Sequence, residues 1–157
     1  MSTSRTMPGG FIDRATLQKG PSGRPLCRWC GLEVPPRRST FCSAWCVHEW
    51  RIRTDPGYLR EQVFQRDRGV CAMCRTDTHA AYFDLKRSRG RHKLKLLARW
   101  RLKRLNRKTL WDADHILPVV EGGGECDLEN IRTLCLLCHR QQTLELRARL
   151  SLRTHAH

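Results

Sequence analysis

Apolar and polar positions divide the chain into segments of different period. Residues 1–25 have no period; they are rich in Ser, Thr, Gly, Pro and Arg and predict a flexible N-terminal tail with a short ordered turn within 9–19. Asp55 and Pro56 read as N-cap and first helical residue, and Tyr58, Leu59, Val63 and Phe64 then give a helix an inward face to about residue 67. Gly69 fits the position just past its end. Leu94, Ala98, Leu102 and Leu105, with Leu97 beside them, recur at helical spacing and predict a helix over 92–106. Residues 110–116 suggest a strand stopped by Pro118, residues 121–125 (EGGGE) a flexible turn, and residues 130–135 a second strand. From 136 to 152 the pattern is helical again, with Leu137, Leu144 and Ala148 on one side, and residues 153–157 should fray. The C-terminal part therefore reads as strand, loop, strand, helix.

With 157 residues the core must be modest, so the fold needs further staples, and nine cysteines could supply them. The N-terminus lacks an apolar leader and no run approaches the ~20 residues of a membrane span, so the expected compartment is the reducing cytoplasm or the nucleoid, where disulfides are rare. Eight of the nine cysteines fall into close pairs, the pattern of zinc sites. Cys27 and Cys30 form a knuckle in which Gly31 permits the tight turn, and Cys42 and Cys46 follow at a helix start with Ser43 near its cap. Residues 26–54 should thus be a small four-cysteine, treble-clef-like zinc module, with His48 at its surface rather than among the ligands. Cys71 and Cys74 form another knuckle whose partner pair would be Cys135 and Cys138; spacing alone leaves that pairing open, and its support is that the other four already form a local set. Cys126 is left as an ordinary, semi-buried residue.

The formal net charge of +15 and pI near 10.2 point to a polyanionic partner, nucleic acid before a membrane surface. Of the 23 residues 86–108, twelve are basic and none is acidic: Lys86, Arg87, Arg89, Arg91, Lys93, Lys95, Arg99, Arg101, Lys103, Arg104, Arg107 and Lys108. A run of one sign repels itself unless a partner offsets it, so contact with phosphates is preferred to a merely solvated face. Trp100, inside this run, is expected to pack rather than to stack on a base.

The candidate chemistry lies in residues 110–143, LWDADHILPVVEGGGECDLENIRTLCLLCHRQQT. Asp114 offers a hard oxygen and His139 an imidazole nitrogen, so together they could hold a divalent cation with positions left open for phosphate and water. His115 is the candidate general base, since an imidazole, with a reference pKa near 6.5, can take a proton from water, and Asn130 could accept from its other ring nitrogen and set its tautomer. Neighbours on a regular strand face opposite ways, so Asp114 and His115 share one site only if the strand ends or twists there.

The order Asp-His, then Asn, then Cys-x-x-Cys-His resembles the HNH endonuclease family over roughly residues 55–147, and within it the HNH modules of eukaryotic zinc-finger replication-fork translocases. FCSAWC and DPGYLREQVFQRD are similar to what precedes such modules in bacterial HNH proteins. The resemblance implies a small α+β fold with a ββα-metal core over 55–152, carrying a basic helical insertion at 84–108. It assigns Asp114 and His139 to a catalytic cation, Mg²⁺ or Mn²⁺, His115 to water activation and Asn130 to orienting the site. Cys71, Cys74, Cys135 and Cys138 match the family's structural zinc, which with Cys27, Cys30, Cys42 and Cys46 makes two Zn²⁺. The family leaves a 5′-phosphate and a 3′-hydroxyl. Thr143 stands where some members carry a further His, which favours two protein ligands completed by water. The expected partner is DNA rather than RNA or a membrane, bound by a monomer or a DNA-induced dimer. Competing readings are a non-catalytic zinc-stabilised nucleic-acid-binding module and, further off, a protein-interaction adaptor.

Overall fold

A computed structural model describes residues 12–124 and 127–154. Its contacts divide into two compact units that meet in sequence at Asp55 and Pro56. The expectation for Cys126 lies outside the described residues.

In the first unit, chain expected to belong to a tail is ordered: Lys19 bridges Pro25, Leu26 donates to the Gln18 carbonyl, and Ser22 is held by the Glu33 carboxylate through backbone and hydroxyl. The Cys27 knuckle closes with Gly31 at φ +73°, a conformation glycine adopts without strain. Helix α1 (Ala44–Thr54) starts at Ser43, whose hydroxyl accepts from the Cys46 N–H at 3.1 Å, a cap contributing about 1 kcal/mol. Cys27, Val34 and Cys46 are its buried centre, flanked by Trp29, Phe41 and Cys42. Arg28 lies 4.1 Å above the Trp50 ring and Arg53 4.5 Å above Trp29, so these guanidiniums help to cover so small a core.

The second unit is α+β. Helix α2 (Pro56–Asp67) buries Leu59 and Val63 and leaves Tyr58 and Phe64 half-buried. After the Cys71 knuckle comes helix α3 (Thr78–Arg87), which no sequence pattern announced; Asp77 caps it by accepting from the Ala80 N–H, and Leu85 is fully buried. Helix α4 covers Gly90–Arg99, seven residues short of the expected end. There Arg101 turns into the left-handed region at φ 53°, its N–H bonds the Ala98 carbonyl and that of Leu102 bonds Leu97. That turn buries Trp100 and lets Leu102 and Leu105 reach the core from irregular chain, while Leu94, assigned to the inner stripe, is 65% exposed.

Strands β1 (Trp111–His115) and β2 (Ile131–Cys135) pair antiparallel, Trp111 opposite Cys135 and His115 opposite Ile131, and β2 runs directly into helix α5 (Leu136–Thr154). The strand–loop–strand–helix order is as expected. The inner residues of α5 differ: Leu136 is buried, whereas Leu144 and Ala148 are exposed, because the helix projects past the core after its first turns. Leu85, Leu97, Trp100, Leu110 and Leu134 form that core with Cys71 and Cys135, each large apolar side chain worth about 1.5–3 kcal/mol. Asp67 ties α2 to β2: one carboxylate oxygen accepts from the Thr133 N–H and hydroxyl, and Arg66 donates to the Leu128 and Ile131 carbonyls.

Candidate active site and two cysteine clusters

Because residues two apart on a strand share a face, β1 presents Asp112 and Asp114 together, and the first turn of α5 brings His139 to both. His139 Nδ1 is 3.3 Å from an Asp112 oxygen and Nε2 is 3.6 Å from Asp114 Oδ1. A proton on Nδ1 directed at Asp112 leaves the Nε2 lone pair toward Asp114, the arrangement by which a carboxylate fixes the tautomer of a ligating imidazole. Two donor atoms 3.6 Å apart can each lie about 2.1 Å from one hard divalent cation. Asp112 was missed in the sequence, although its signal was there: the second carboxylate of Asp-Ala-Asp, two residues before a proposed ligand on a strand.

Arginines surround these carboxylates. Arg132, opposite Asp114 in the sheet, donates to it at 3.2 and 3.3 Å and also to Gln142. Arg107 from the basic segment pairs with Asp112, and Arg60 approaches the same carboxylate at 3.7 Å. Of the twelve basic side chains in 86–108, all but Lys93 are exposed. The Arg107 contact places the end of that run beside the Asp112–His139 pair.

His115 is the last residue of β1 and is half-buried. The pleat sets it on the face opposite Asp112 and Asp114, and regular pairing ends with it. Asn130 holds the loop that follows: its amide oxygen accepts from the Leu117 N–H at 2.8 Å, and its nitrogen donates to the Leu117 and Gly123 carbonyls. Gly123 fits so closely that a Cβ there would meet the Leu117 oxygen at 1.8 Å. With Glu121 paired to Arg149 and Arg153 on α5, the described part of this loop, expected to be flexible, is pinned at both sides.

The cysteines gather into two groups of four. Among the described residues these are the groups that bring three or more possible ligands within 4.8 Å of one another: Cys27, Cys30, Cys42 and Cys46, and Cys71, Cys74, Cys135 and Cys138. His48, half-buried, is in neither. Sulfur separations of 3.5, 3.3 and 3.7 Å lie at or a little below the ~3.8 Å edge of a tetrahedron with 2.3 Å zinc–sulfur bonds, so both groups could hold zinc. Their thiols are electrostatically divided. Burial raises the Cys27 thiol, but N–H donors from Cys30, Cys42 and Trp29 outweigh it and bring it down to about 6, whereas hydrogen bonds with Cys46 and Cys30 push Cys42 up to about 12. Likewise burial is outweighed at Cys74, lowered to about 6 by Thr76, while burial and neighbouring sulfurs raise Cys138. Four thiolates can coexist there only with a cation to neutralise them.

Residues 102–145 match the HNH endonuclease family, described by that name. The crystal structure of the human ZRANB3 HNH domain superposes with a TM-score of 0.50 at 30% identity, covering 64% of this chain and 97% of that domain.

The chain belongs to the HNH endonuclease family.

The chain is also similar to the protein described as DNA annealing helicase and endonuclease ZRANB3, 36% identical in Mus musculus over 78% of this chain and 34% in Homo sapiens over 77%. The chain spans 14% and 13% of those two relatives' length. In the HNH unit, Asp114, His115, Asn130 and His139 occupy the strand–loop–strand–helix motif, and Cys138 immediately precedes His139 on α5. A zinc bound at Cys135 and Cys138 would therefore fix the start of the helix that carries His139.

Proposed function

We propose that this chain is a metal-dependent DNA endonuclease that hydrolyses phosphodiester bonds. The observation that carries the reading is the convergence of Asp114 Oδ1 and His139 Nε2 to 3.6 Å beside the basic segment. Asp114 and His139 bind a divalent cation, Mg²⁺ or Mn²⁺, which when present supplies charge neutralisation on the phosphate and on the departing oxygen. Asp112 orients His139. Arg132 holds Asp114 in place. His115, at the strand end, takes the proton of the attacking water as its oxygen bonds to phosphorus; the bond to the 3′ oxygen breaks and that oxygen takes a proton from solvent, leaving a 5′-phosphate and a 3′-hydroxyl. Asn130 keeps the adjoining loop, and so His115, in register. The basic run from Lys86 to Lys108 contacts the DNA backbone. DNA as substrate is supported by the charge and by the name borne by the ZRANB3 relatives.

A non-catalytic, zinc-stabilised nucleic-acid-binding module has two observations in its favour: Arg132 already neutralises Asp114, and the pleat turns His115 away from it. Plasmid nicking with Mg²⁺ or Mn²⁺ separates the two. His115→Ala should lower cleavage at least a hundredfold, within the ~10²–10⁴ range of general-base removal, with DNA affinity and zinc content unchanged. Equal cleavage by the variant removes His115 from the reaction, and absence of cleavage by the wild type on every DNA form selects the binding module.

A further inference from the structure

A cavity of about 330 Å³ lies on the α2–α3 side of the HNH unit, its lining including Arg60, Glu61, Phe64, His79, Tyr82 and Trp111, with Lys108 and Thr109 from the chain before β1. Its volume falls in the ~300–1,000 Å³ range of small-molecule pockets. Its walls are mostly ring faces and edges. Phe64 and Trp111 lie nearly parallel at 17° with centroids 6.2 Å apart, and His79 packs on Phe64 at 5.4 Å. The Arg60 guanidinium lies 4.2 Å above Trp111 and donates to the Thr109 hydroxyl and the Trp111 carbonyl. Burial opposes its charge and so works against a cation there, while Asp112 favours it. The lining is thus mainly aromatic and apolar, and it includes the exposed Lys108 and Glu61, whose carboxylate can accept a hydrogen bond.

We propose that this cavity receives a single unpaired nucleobase from the bound strand. Aromatic surfaces stack on any base, Lys108 pairs with a flanking phosphate, and Glu61 accepts from an exocyclic amino group. The cavity also adjoins the candidate cation site. Arg60 lines the cavity and also reaches Asp112, the carboxylate on His139. Trp111 is the residue before Asp112 on β1. A base seated here therefore fixes the position of the backbone near the proposed cation site. A partly buried ring cavity cannot admit a base still stacked in a duplex, so the preferred substrate is DNA with an unpaired nucleotide close to the cut. It rests on the reading of nucleic acid as substrate.

The test compares fluorescein-labelled duplexes without added Mg²⁺ or Mn²⁺, so that binding is read apart from cleavage. One carries a single-nucleotide bulge with 2-aminopurine, another the same bulge as an abasic site, and a third is fully paired. The abasic bulge keeps the bend and flexibility and removes only the base. The wild type should bind the base-bearing bulge about tenfold tighter than the abasic one, the size base–aromatic stacking commonly contributes, with a change in 2-aminopurine emission on binding. In His79→Ala, and independently in Phe64→Leu, that ratio should fall below about twofold while zinc content and the melting transition stay at wild-type values. Equal wild-type affinity for the two bulges overturns the pocket, as does a ratio that survives both variants. Tight but unselective binding leaves the nucleic-acid reading standing without the pocket, whereas failure to bind any of the three duplexes overturns both.

Discussion

The two cysteine quartets share a ligand set and differ in how much chain they close. Between its pairs the first holds eleven residues, 31–41, and the second sixty, 75–134. By loop-closure entropy alone the longer loop costs about 1.5 kcal/mol more, and it is filled with α3, α4 and β1. The short quartet can make a unit out of a knuckle and one capped helix. The long quartet joins elements that are already packed: the Ala72 N–H donates to the Thr133 carbonyl, Cys135 ends β2, and Cys138 lies in the first turn of α5 beside His139. Zinc held in the first quartet would be purely architectural, whereas zinc held in the second would also position a candidate ligand.

The sharpest way to break this contrast is to remove one thiol from each quartet. Cys138→Ser should lower bound zinc from about two ions per chain to about one, abolish cleavage and erase the cooperative unfolding of the unit from Pro56 onward, since structural zinc contributes about 10 kcal/mol or more in small domains. Cys30→Ser should lose the same amount of metal and retain cleavage. Metal analysis, calorimetry and plasmid nicking on both variants decide it; cleavage surviving in Cys138→Ser, or lost equally in both, would end the distinction.

A smaller effect asks whether zinc alone aligns His139. If Asp112 fixes its tautomer, Asp112→Asn should lower kcat/KM about 10–100-fold at constant zinc content, and Asp112→Glu should recover part of the loss. Full activity in Asp112→Asn would leave the metal cluster as sufficient support.

The smallest effect concerns the non-metal tie between α2 and β2. Burial raises the Asp67 carboxyl, but the Arg66 guanidinium and the two Thr133 donors outweigh it and hold it below the ordinary carboxylate range. With the folded value depressed, its contribution is complete above the unfolded pKa near 4 and is lost only as pH falls through the folded value. Asp67→Asn should therefore cost about 1 kcal/mol, reduced from the usual charged hydrogen bond by its partial exposure. That cost should be constant from pH 8 to pH 5.5 by urea unfolding. A gap that closes within that window would assign the stabilisation to another group.

Much of the site was legible along the chain. Cysteine pairs, an Asp-His, an Asn and a terminal His carry their chemistry in residue type and spacing, and β2 leads straight into α5, so Cys138 and His139 travel together. Asp112 was legible in principle from strand period. Helix α3 was not: its inward residues Thr78, Ala81 and Leu85 are too mixed to announce a face, and its Asp77 cap is recognisable only once the chain turns there.

Residue type and spacing determined the local quartet Cys27, Cys30, Cys42 and Cys46, the two remaining cysteine pairs, the charge and the strand–loop–strand–helix order, because those depend on chemistry carried by single side chains and on short-range period; that Cys71 and Cys74 meet Cys135 and Cys138 across sixty residues was settled by the fold. Tertiary structure alone decided where α4 stops, since burying Trp100 outweighed the helical period of the leucines. It also decided that Asp112 grips His139, that Asn130 closes a loop, and that aromatic residues from α2, α3 and β1 enclose a cavity, because each of these joins residues no local pattern relates.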